Sequence, residues 1–178
     1  MALLPILTAP APVLKQKASL VDTVTPDIRQ LLEDMLETMY AAPGIGLAAP
    51  QIGISKRLIV VDVAGKDDEK KPYRMINPTL AWVSEEDSTY EEGCLSVPQH
   101  YADVVRPAAI RVEYLDETGN HQSLEADGLL ATCIQHEIDH LDGILFIDHL
   151  SALKRNIILR KLLKAQHKEK APQEREKM

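Results

Sequence analysis

Two histidines four residues apart carry the clearest chemical signal in this chain. They begin and end the run His136-Glu137-Ile138-Asp139-His140. On a helix this spacing places both imidazoles on one face, one turn apart, where they can bind one divalent metal ion. The carboxylate of Glu137 follows the first histidine and can move a proton from a water molecule to a leaving amine. The run therefore predicts a metallohydrolase with one metal ion.

A catalytic metal ion of this kind needs a third protein ligand and one open position. In the metzincin proteases the third ligand is a histidine at the position that Phe146 occupies here, and phenylalanine cannot bind a metal ion. In thermolysin-like proteases it is a downstream glutamate, and the only downstream glutamates here lie in the charged tail. His149 is a further alternative, although it lies past the predicted end of the helix.

Cys94 is the strongest upstream candidate for the third ligand. It lies in the segment Glu91–Pro98, where Gly93 and Pro98 indicate a shaped segment rather than a regular strand. A thiolate together with two imidazoles suits Zn(II) or Fe(II). Cys94 with the two histidines would leave the fourth position open for water.

Cys133, the second cysteine, has a different interpretation. It lies three residues before His136 and shares a helix face with Leu129, Thr132 and both histidines. A second thiolate ligand would fill the open coordination position. We therefore interpret Cys133 as part of the pocket wall beside the metal ion.

The first helix is predicted from its cap and its apolar spacing. Thr25 is a suitable N-cap and Pro26 suits the first helical position. Apolar residues then recur at helical spacing from Ile28 to Tyr40, and Pro43-Gly44 ends the pattern.

Two further helices follow in the second half of the chain. One is predicted from about Asp127 to Leu141, where it carries the two histidines, and Asp142-Gly143 ends it. The other begins near Ser151. The apolar residues predicted to share one side of it are Leu153, Ile157 and Leu162.

The remaining elements are short. The segment Gly44–Gly53 is predicted as a loop of small residues to which other groups can come close. Strands are predicted at 57–63, 74–77, 109–114 and 122–126, with a hairpin turn at 117–120 between the last two. Helices and short strands do not alternate regularly, so the prediction is an α+β fold: short antiparallel strands in small sheets around the central histidine-bearing helix.

Composition narrows the class of protein. The length of 178 residues and the hydrophobic fraction of 45% fit one folded domain. No apolar stretch is long enough to span a membrane, and prolines interrupt an opening that lacks a basic leader, so no signal peptide is expected. Two cysteines do not make a disulfide framework, and the expected location is the cytoplasm.

Charge divides the chain into two parts. Residues 1–150 carry a net charge of −13, whereas residues 151–178 carry nine Lys or Arg against three Glu, a net charge of +6. We expect 1–150 to be the catalytic part and 151–178 to be a basic C-terminal helix with a flexible tail, an extension of the same domain. The tail is either a solvated end or a docking segment for a polyanion.

Three segments, in order, resemble the three signature motifs of the bacterial peptide deformylase family. They are Gly44-Ile45-Gly46-Leu47-Ala48-Ala49-Pro50-Gln51, Glu92-Gly93-Cys94-Leu95-Ser96 and Gln135-His136-Glu137 followed by His140. The likeness extends from the opening Leu-Pro-Ile-Leu to about Leu153. This resemblance implies a hydrolase that removes the formyl group from the N-terminal formyl-methionine of nascent polypeptides. Metal-bound water is then expected to attack the formyl carbon.

The resemblance also implies a role for individual residues. The implied metal ligands are Cys94, His136 and His140, and the implied native metal is Fe(II), for which Zn, Ni or Co can substitute. Glu137 is then the general acid and base. Gln51 and the backbone N–H of Leu95 are the implied oxyanion donors. Glu92 and Arg106 resemble the family's supporting ion pair.

Substrate and partners follow from the same resemblance. The methionine side chain needs an apolar slot, for which Ile45, Leu129 and Cys133 are the expected walls. The backbone around Gly44–Gly46 is expected to hydrogen-bond an extended peptide in strand fashion. The basic segment 151–178 is compatible with ribosome contact, which some members of the family make. We expect a monomer that binds neither DNA nor a membrane.

Overall fold

In the computed structural model, which describes residues 2–176 and the side chains of residues 2–167, three α-helices pack against two antiparallel sheets. The helices are α1 (Pro26–Ala41), α2 (Gly128–Leu141) and α3 (Ala152–Glu176). The strands are β1 (Gly46–Ala48), β2 (Leu58–Val61), β3 (Tyr73–Val83), β4 (Asp87–Cys94), β5 (Val97–Pro107), β6 (Ala109–Leu115) and β7 (His121–Asp127). The predicted α+β class is confirmed.

The larger sheet has the order β1-β2-β3-β6-β7, and every neighbouring pair is antiparallel. Its strand β2 is buried along its whole length, because helices cover both faces of the sheet. Leu58 and Val60 face α1, whereas Ile59 and Val61 face α2. This two-sided burial explains why β2 is a continuous apolar run rather than an alternating one. The sheet thus separates two halves of the core.

Helix α1 begins at the predicted residue. The backbone N–H of Ile28 donates to the side chain of Thr25 at 3.3 Å, and Pro26 lies in the first turn. The apolar stripe of α1 is buried, with Leu32, Met35 and Met39 fully enclosed. This stripe packs on the sheet just behind the short strand β1 and so supports the segment that carries the first motif.

Helix α2 also follows the prediction, with Asp127 as its N-cap residue. Its core face is formed by Ala131, Ile134, Ile138 and Leu141, which are buried against the sheet. Its other face carries the two histidines, which are themselves buried. One helix therefore anchors the core and presents polar groups to a second region at the same time.

Strands β4 and β5 form a long hairpin of their own, and it contains the segment Glu91–Pro98, which was interpreted from the sequence as shaped rather than as a regular strand. That segment is the closed end of the hairpin, with a bulge between Gly93 and Cys94 and a tight turn at Leu95-Ser96. Most side chains of both strands are exposed or half-buried, so the apolar alternation that marks a strand is missing. The loop prediction at Gly44–Gly53 was wrong in part, because Gly46–Ala48 within it form strand β1.

Helix α3 corrects a second prediction. Leu162 is 4% exposed, whereas Leu153 is 70% and Ile157 is 40% exposed, so these residues do not share one buried side. The reason is geometric: nine residues at 3.6 residues per turn place Leu153 and Leu162 on opposite sides of a helix. The end of the predicted tail, residues 177–178, lies outside the described residues. None of the helices in the described part of the chain combines the length and apolarity that a membrane span requires.

Candidate metal centre

Three donor atoms converge where α2 meets the closed end of the β4–β5 hairpin. Sγ of Cys94 lies 3.3 Å from Nε2 of His140, and the Nε2 atoms of His140 and His136 are also 3.3 Å apart. All three donor atoms lie within 4.8 Å of one another. The helix supplies two donors four residues apart, and the last residue of β4 supplies the third. The structure thus brings together the three residues predicted as ligands.

These spacings fit a tetrahedral metal ion. With metal–nitrogen bonds of about 2.0–2.1 Å and a metal–sulfur bond of about 2.3 Å, neighbouring ligand atoms lie about 3.3–3.6 Å apart. The donor set of one thiolate and two imidazoles suits Zn(II) or Fe(II). Among the described residues, no other group of His, Cys, Asp or Glu converges in this way. The cluster is therefore the candidate metal centre.

The pKa shifts of the two imidazoles also fit a metal centre. Burial lowers the pKa of His140 well below its usual range, and the neighbouring His136 lowers it further. Burial also opposes a charge on His136, but its hydrogen bonds with Cys94 and Glu92 outweigh burial and raise its pKa well above the usual value. Because an imidazole binds a metal ion in its neutral form, metal binding competes with the protonation that these hydrogen bonds favour on His136.

A chain of ion pairs holds His136 from behind. Its Nδ1–H donates to Oε1 of Glu92 at 2.9 Å, and Arg106 donates from Nε and Nη2 to both oxygens of that carboxylate at 2.7 and 2.9 Å. Nη1 of Arg106 donates to Oδ2 of Asp139 at 2.8 Å. His149, the alternative ligand, is not in the cluster: its Nε2 contacts Asp139 at 2.8 Å instead.

Glu137 lies beside the cluster in a buried position. Its Oε1 is 3.9 Å from Nε2 of His136, and its Oε2 has no hydrogen-bond partner in the described part of the chain. Burial raises the pKa of Glu137 to about 7, because the cation on His136 offsets only part of the desolvation. A carboxyl group with this pKa can both accept and donate a proton near neutral pH.

The first motif brings Gln51 to the same place. Its Oε1 accepts the backbone N–H of Ala48 at 2.9 Å, which fixes the orientation of the amide. Its Nε2 then donates to Oγ of Ser96 at 3.1 Å and lies 3.5 Å from Sγ of Cys94. A rigid amide N–H therefore borders the donor cluster. The part of Ser96 in this arrangement is not evident from the sequence, because the two residues are 45 positions apart.

A cleft of about 570 Å³ opens onto the cluster. The predicted pocket residues Ile45, Gly46, Leu129 and Cys133 all line it, as does Leu95 from the hairpin turn. Strand β5 also contributes to the cleft through His100 and Tyr101, which were not predicted as pocket residues. No local pattern marks them, because they reach the cleft only through the hairpin register.

A comparison with known protein families places this site in context. The family model described as polypeptide deformylase matches residues 3–156, which is most of the chain.

The chain belongs to the polypeptide deformylase family.

Curated relatives of the family agree over nearly the full length. The peptide deformylase of Rhizobium meliloti (strain 1021) is 58% identical over 165 residues, which cover 93% of this chain and 95% of the relative. That of Agrobacterium fabrum is 54% identical over 165 residues, with 93% and 97% covered. The resemblance seen in the three motifs is therefore confirmed, and with it the family function, metal-dependent removal of the formyl group from formyl-methionyl peptides.

Solved structures of the family share this fold. The peptide deformylase of Ehrlichia chaffeensis in complex with actinonin has a TM-score of 0.89 at 43% identity and covers 93% of this chain and 98% of its own. The enzyme of Thermotoga maritima has a TM-score of 0.80 at 38% identity, with 85% and 99% covered. The arrangement of helices around the two sheets is thus the deformylase fold.

Proposed function

We propose that this deformylase holds its metal ion with Cys94, His136 and His140, and that Glu137 is its general acid and base. The convergence of the three donor atoms beside a buried carboxylate is the observation that carries the proposal. When bound, the metal ion supplies Lewis-acid chemistry, since it lowers the pKa of water and polarises a carbonyl. Fe(II) is the proposed native ion, and Zn, Ni or Co are proposed substitutes; the thiolate–imidazole donor set is compatible with each.

Glu137 moves the proton. Its unpartnered Oε2 accepts a proton from the attacking water, and the raised pKa keeps that proton available for the departing amine of the methionine. The carboxyl group thus acts first as a base and then as an acid in one turnover.

Gln51 and Leu95 stabilise the negative charge that develops on the formyl oxygen. The amide of Gln51 is held on both sides, by Ala48 and by Ser96, so its Nε2 does not have to reorient during the reaction. The backbone N–H of Leu95 is the second proposed donor, supplied by the tight turn after Cys94. Fixed donors of this kind stabilise an oxyanion more than solvent does.

The edge strand β1 binds the peptide. The backbone N–H of Asp62 donates to the carbonyl of Ile45 at 2.9 Å, and along an antiparallel ladder the residues that bond to the partner strand alternate with residues that do not. Gly46, the next residue, therefore directs its N–H and C=O away from β2 and toward the free edge. An extended substrate can add to this edge as a further strand. Its methionine side chain then enters the slot between Ile45, Leu129 and Cys133.

Product analysis tests this proposal. Metal-loaded protein is incubated with a formyl-methionyl peptide and with the same peptide lacking the formyl group, and the products are identified by mass spectrometry. Loss of the formyl group from the first peptide alone, with no reaction by Glu137→Gln, is the expected result. Cleavage of internal peptide bonds in either peptide would contradict the proposal and indicate an endopeptidase instead. Metal analysis of protein purified without oxygen tests the assignment of Fe(II).

The basic segment 151–178 is proposed to dock on ribosomal RNA. The exposed side chains of Lys154, Lys161 and Lys164 on α3 support this, because a polyanion attracts such a surface in a salt-dependent way. Ribosome co-sedimentation at low and moderate salt is compared between wild type and a variant with these three lysines changed to glutamine. The control variant neutralises three exposed lysines elsewhere, Lys17, Lys56 and Lys66. Equal sedimentation of both variants would exclude the docking role.

The remaining parts of the proposal concern organisation and location. Residues 1–150 are proposed as the catalytic part and 151–178 as an extension of the same domain, since α3 buries Leu162 and bonds to the N-terminal segment through Gln166. Both cysteines are free thiols, which is compatible with a cytoplasmic location. A monomer is proposed, and sedimentation analysis tests it.

A further inference from the structure

Thr132 carries a hydroxyl group that the described protein does not use. It lies on α2 one turn before His136, lines the cleft and is 4% exposed. Its Oγ1 has no hydrogen-bond partner among the described residues. Threonine in a helix commonly bonds a carbonyl of the preceding turn, and this one does not. A buried hydroxyl without a partner is destabilising unless a bound molecule satisfies it.

The groups next to Thr132 indicate which kind of bound molecule could accept its hydrogen bond. Its neighbours on the same helix face are Leu129 and Cys133, which wall the methionine slot in the proposed function. The thiol of Cys133 already faces the carbonyl of Ile45 at 3.5 Å, and burial raises its pKa so that it stays neutral. Thr132 is therefore the one hydroxyl in this stretch of α2 without a partner among the described residues, and it belongs to a residue that lines the cleft.

We propose that Thr132 determines specificity within the slot by donating a hydrogen bond to the thioether sulfur of the substrate methionine. This inference rests on the proposed function, since it requires the methionine side chain to enter that slot. The thioether sulfur is a weak acceptor, whereas the corresponding methylene of norleucine accepts nothing. Norleucine has nearly the same shape but leaves the hydroxyl unsatisfied, so the enzyme discriminates against it.

The test compares two substrates that differ only in whether the first side chain has a sulfur atom or a methylene group. kcat/KM is measured for a formyl-methionyl and a formyl-norleucyl peptide of otherwise equal sequence with metal-loaded wild type, Thr132→Val and Thr132→Ser. Valine keeps the shape and removes the hydroxyl, whereas serine keeps the hydroxyl. Thr79→Val is the matched control, because Thr79 is exposed on β3 away from the cleft.

The expected methionine preference of wild type is about two- to tenfold, the range of one neutral hydrogen bond. Thr132→Val is expected to bring the ratio close to one, while Thr132→Ser and Thr79→Val retain the preference. Thr132→Val is also expected to unfold at the same or a higher temperature, because it removes an unsatisfied buried group. Thr132→Ala is a second hydroxyl-free variant if valine does not fold.

Two results would overturn the inference, and they differ. An unchanged ratio in both hydroxyl-free variants, with active wild type, excludes the role of Thr132 and leaves the deformylase proposal intact. No formate release by wild type from either peptide removes the proposed function and the inference together.

Discussion

The imidazole of His136 is held by Glu92 at 2.9 Å, on the side of the ring that faces away from the donor cluster. Because the carboxylate only accepts hydrogen bonds, Nδ1 carries the proton and Nε2 is left to face the cluster. Burial alone would raise the pKa of Glu92, but its hydrogen bonds with His136 and Arg106 lower it, so the carboxylate is ionised at neutral pH. Two elements distant in sequence thus set the tautomer of one ligand.

Replacing Glu92 tests this relationship. Glu92→Gln keeps the size but removes the charge that both His136 and Arg106 use, and we expect metal affinity to fall about 10- to 100-fold. Competition with a chromophoric chelator measures it. Glu91→Gln is the matched control, since Glu91 precedes Glu92 on β4 and its side chain is exposed. Equal affinities for the two variants would show that the carboxylate does not orient the ligand.

The raised pKa of Glu137 predicts a pH-dependent stability difference in metal-free protein. The pKa of about 7 in the folded chain lies above 4.5, the ordinary pKa of a glutamate side chain. Protonation therefore favours the fold, and the resulting stability is complete below pH 4.5 and lost as the pH rises through 7. Glu137→Gln avoids the loss and is expected to raise the free energy of unfolding by up to about 3 kcal/mol at pH 8.

Urea denaturation of wild type and Glu137→Gln between pH 4 and 8, with chelator present, measures this difference. The difference in free energy of unfolding between the two proteins is expected to vanish near pH 4, where Glu137 of the wild type is also neutral. A gap that does not vary with pH would mean that Glu137 is not desolvated in the folded state.

Gln51 is predicted to act on the rate rather than on folding. Gln51→Glu keeps the acceptor for the N–H of Ala48 but removes the Nε2 donor, and we expect kcat to fall about 10²- to 10³-fold. Steady-state kinetics on a formyl-methionyl peptide measure the change. Gln122→Glu, an exposed position on β7, makes the same chemical change elsewhere. A variant at position 51 with the kcat of this control would remove Gln51 from the oxyanion site.

Gly46 is predicted to be required for the close approach of β1 to α2. A Cβ at this position would lie 2.7 Å from Oε1 of Glu137 and 2.9 Å from Sγ of Cys133. Gly46→Ala must therefore displace Glu137, and a displacement near 1 Å costs on the order of 10²-fold in kcat. Gly65→Ala is the control, because its new Cβ meets only the flexible carboxylate of Asp68. Wild-type kcat in Gly46→Ala would contradict this packing.

Much of the helical structure was predictable, because each helix is encoded locally. The histidines and the core residues of α2 share one period, so their opposite faces follow from the sequence alone. Cys94 is different, because it lies on β4 and not on α2. It was predicted as a ligand by excluding the downstream candidates and from the family motif. The oxyanion role of Gln51, whose amide lies beside Cys94, was predicted only from the family resemblance.

The parts that sequence did not predict depend on long-range pairing. Asp139 lies inside the histidine run, but its partner Arg106 is 33 residues away and no local pattern joins them. The contribution of β5 to the cleft likewise follows from the hairpin register, which half-exposed strands do not reveal. The error on α3 was of another kind, since helical geometry alone separates Leu153 from Leu162.

A metal titration followed by formate release tests the central claim most directly. Chelator-stripped protein receives increasing Fe(II) without oxygen, and formate release from a formyl-methionyl peptide is measured at each step. Activity is expected to be absent at first, to rise in proportion to the metal and to level off at one ion per chain, with no recovery in Cys94→Ala. Full activity in the stripped wild type, or equal recovery in Cys94→Ala, would contradict a catalytic centre held by Cys94, His136 and His140.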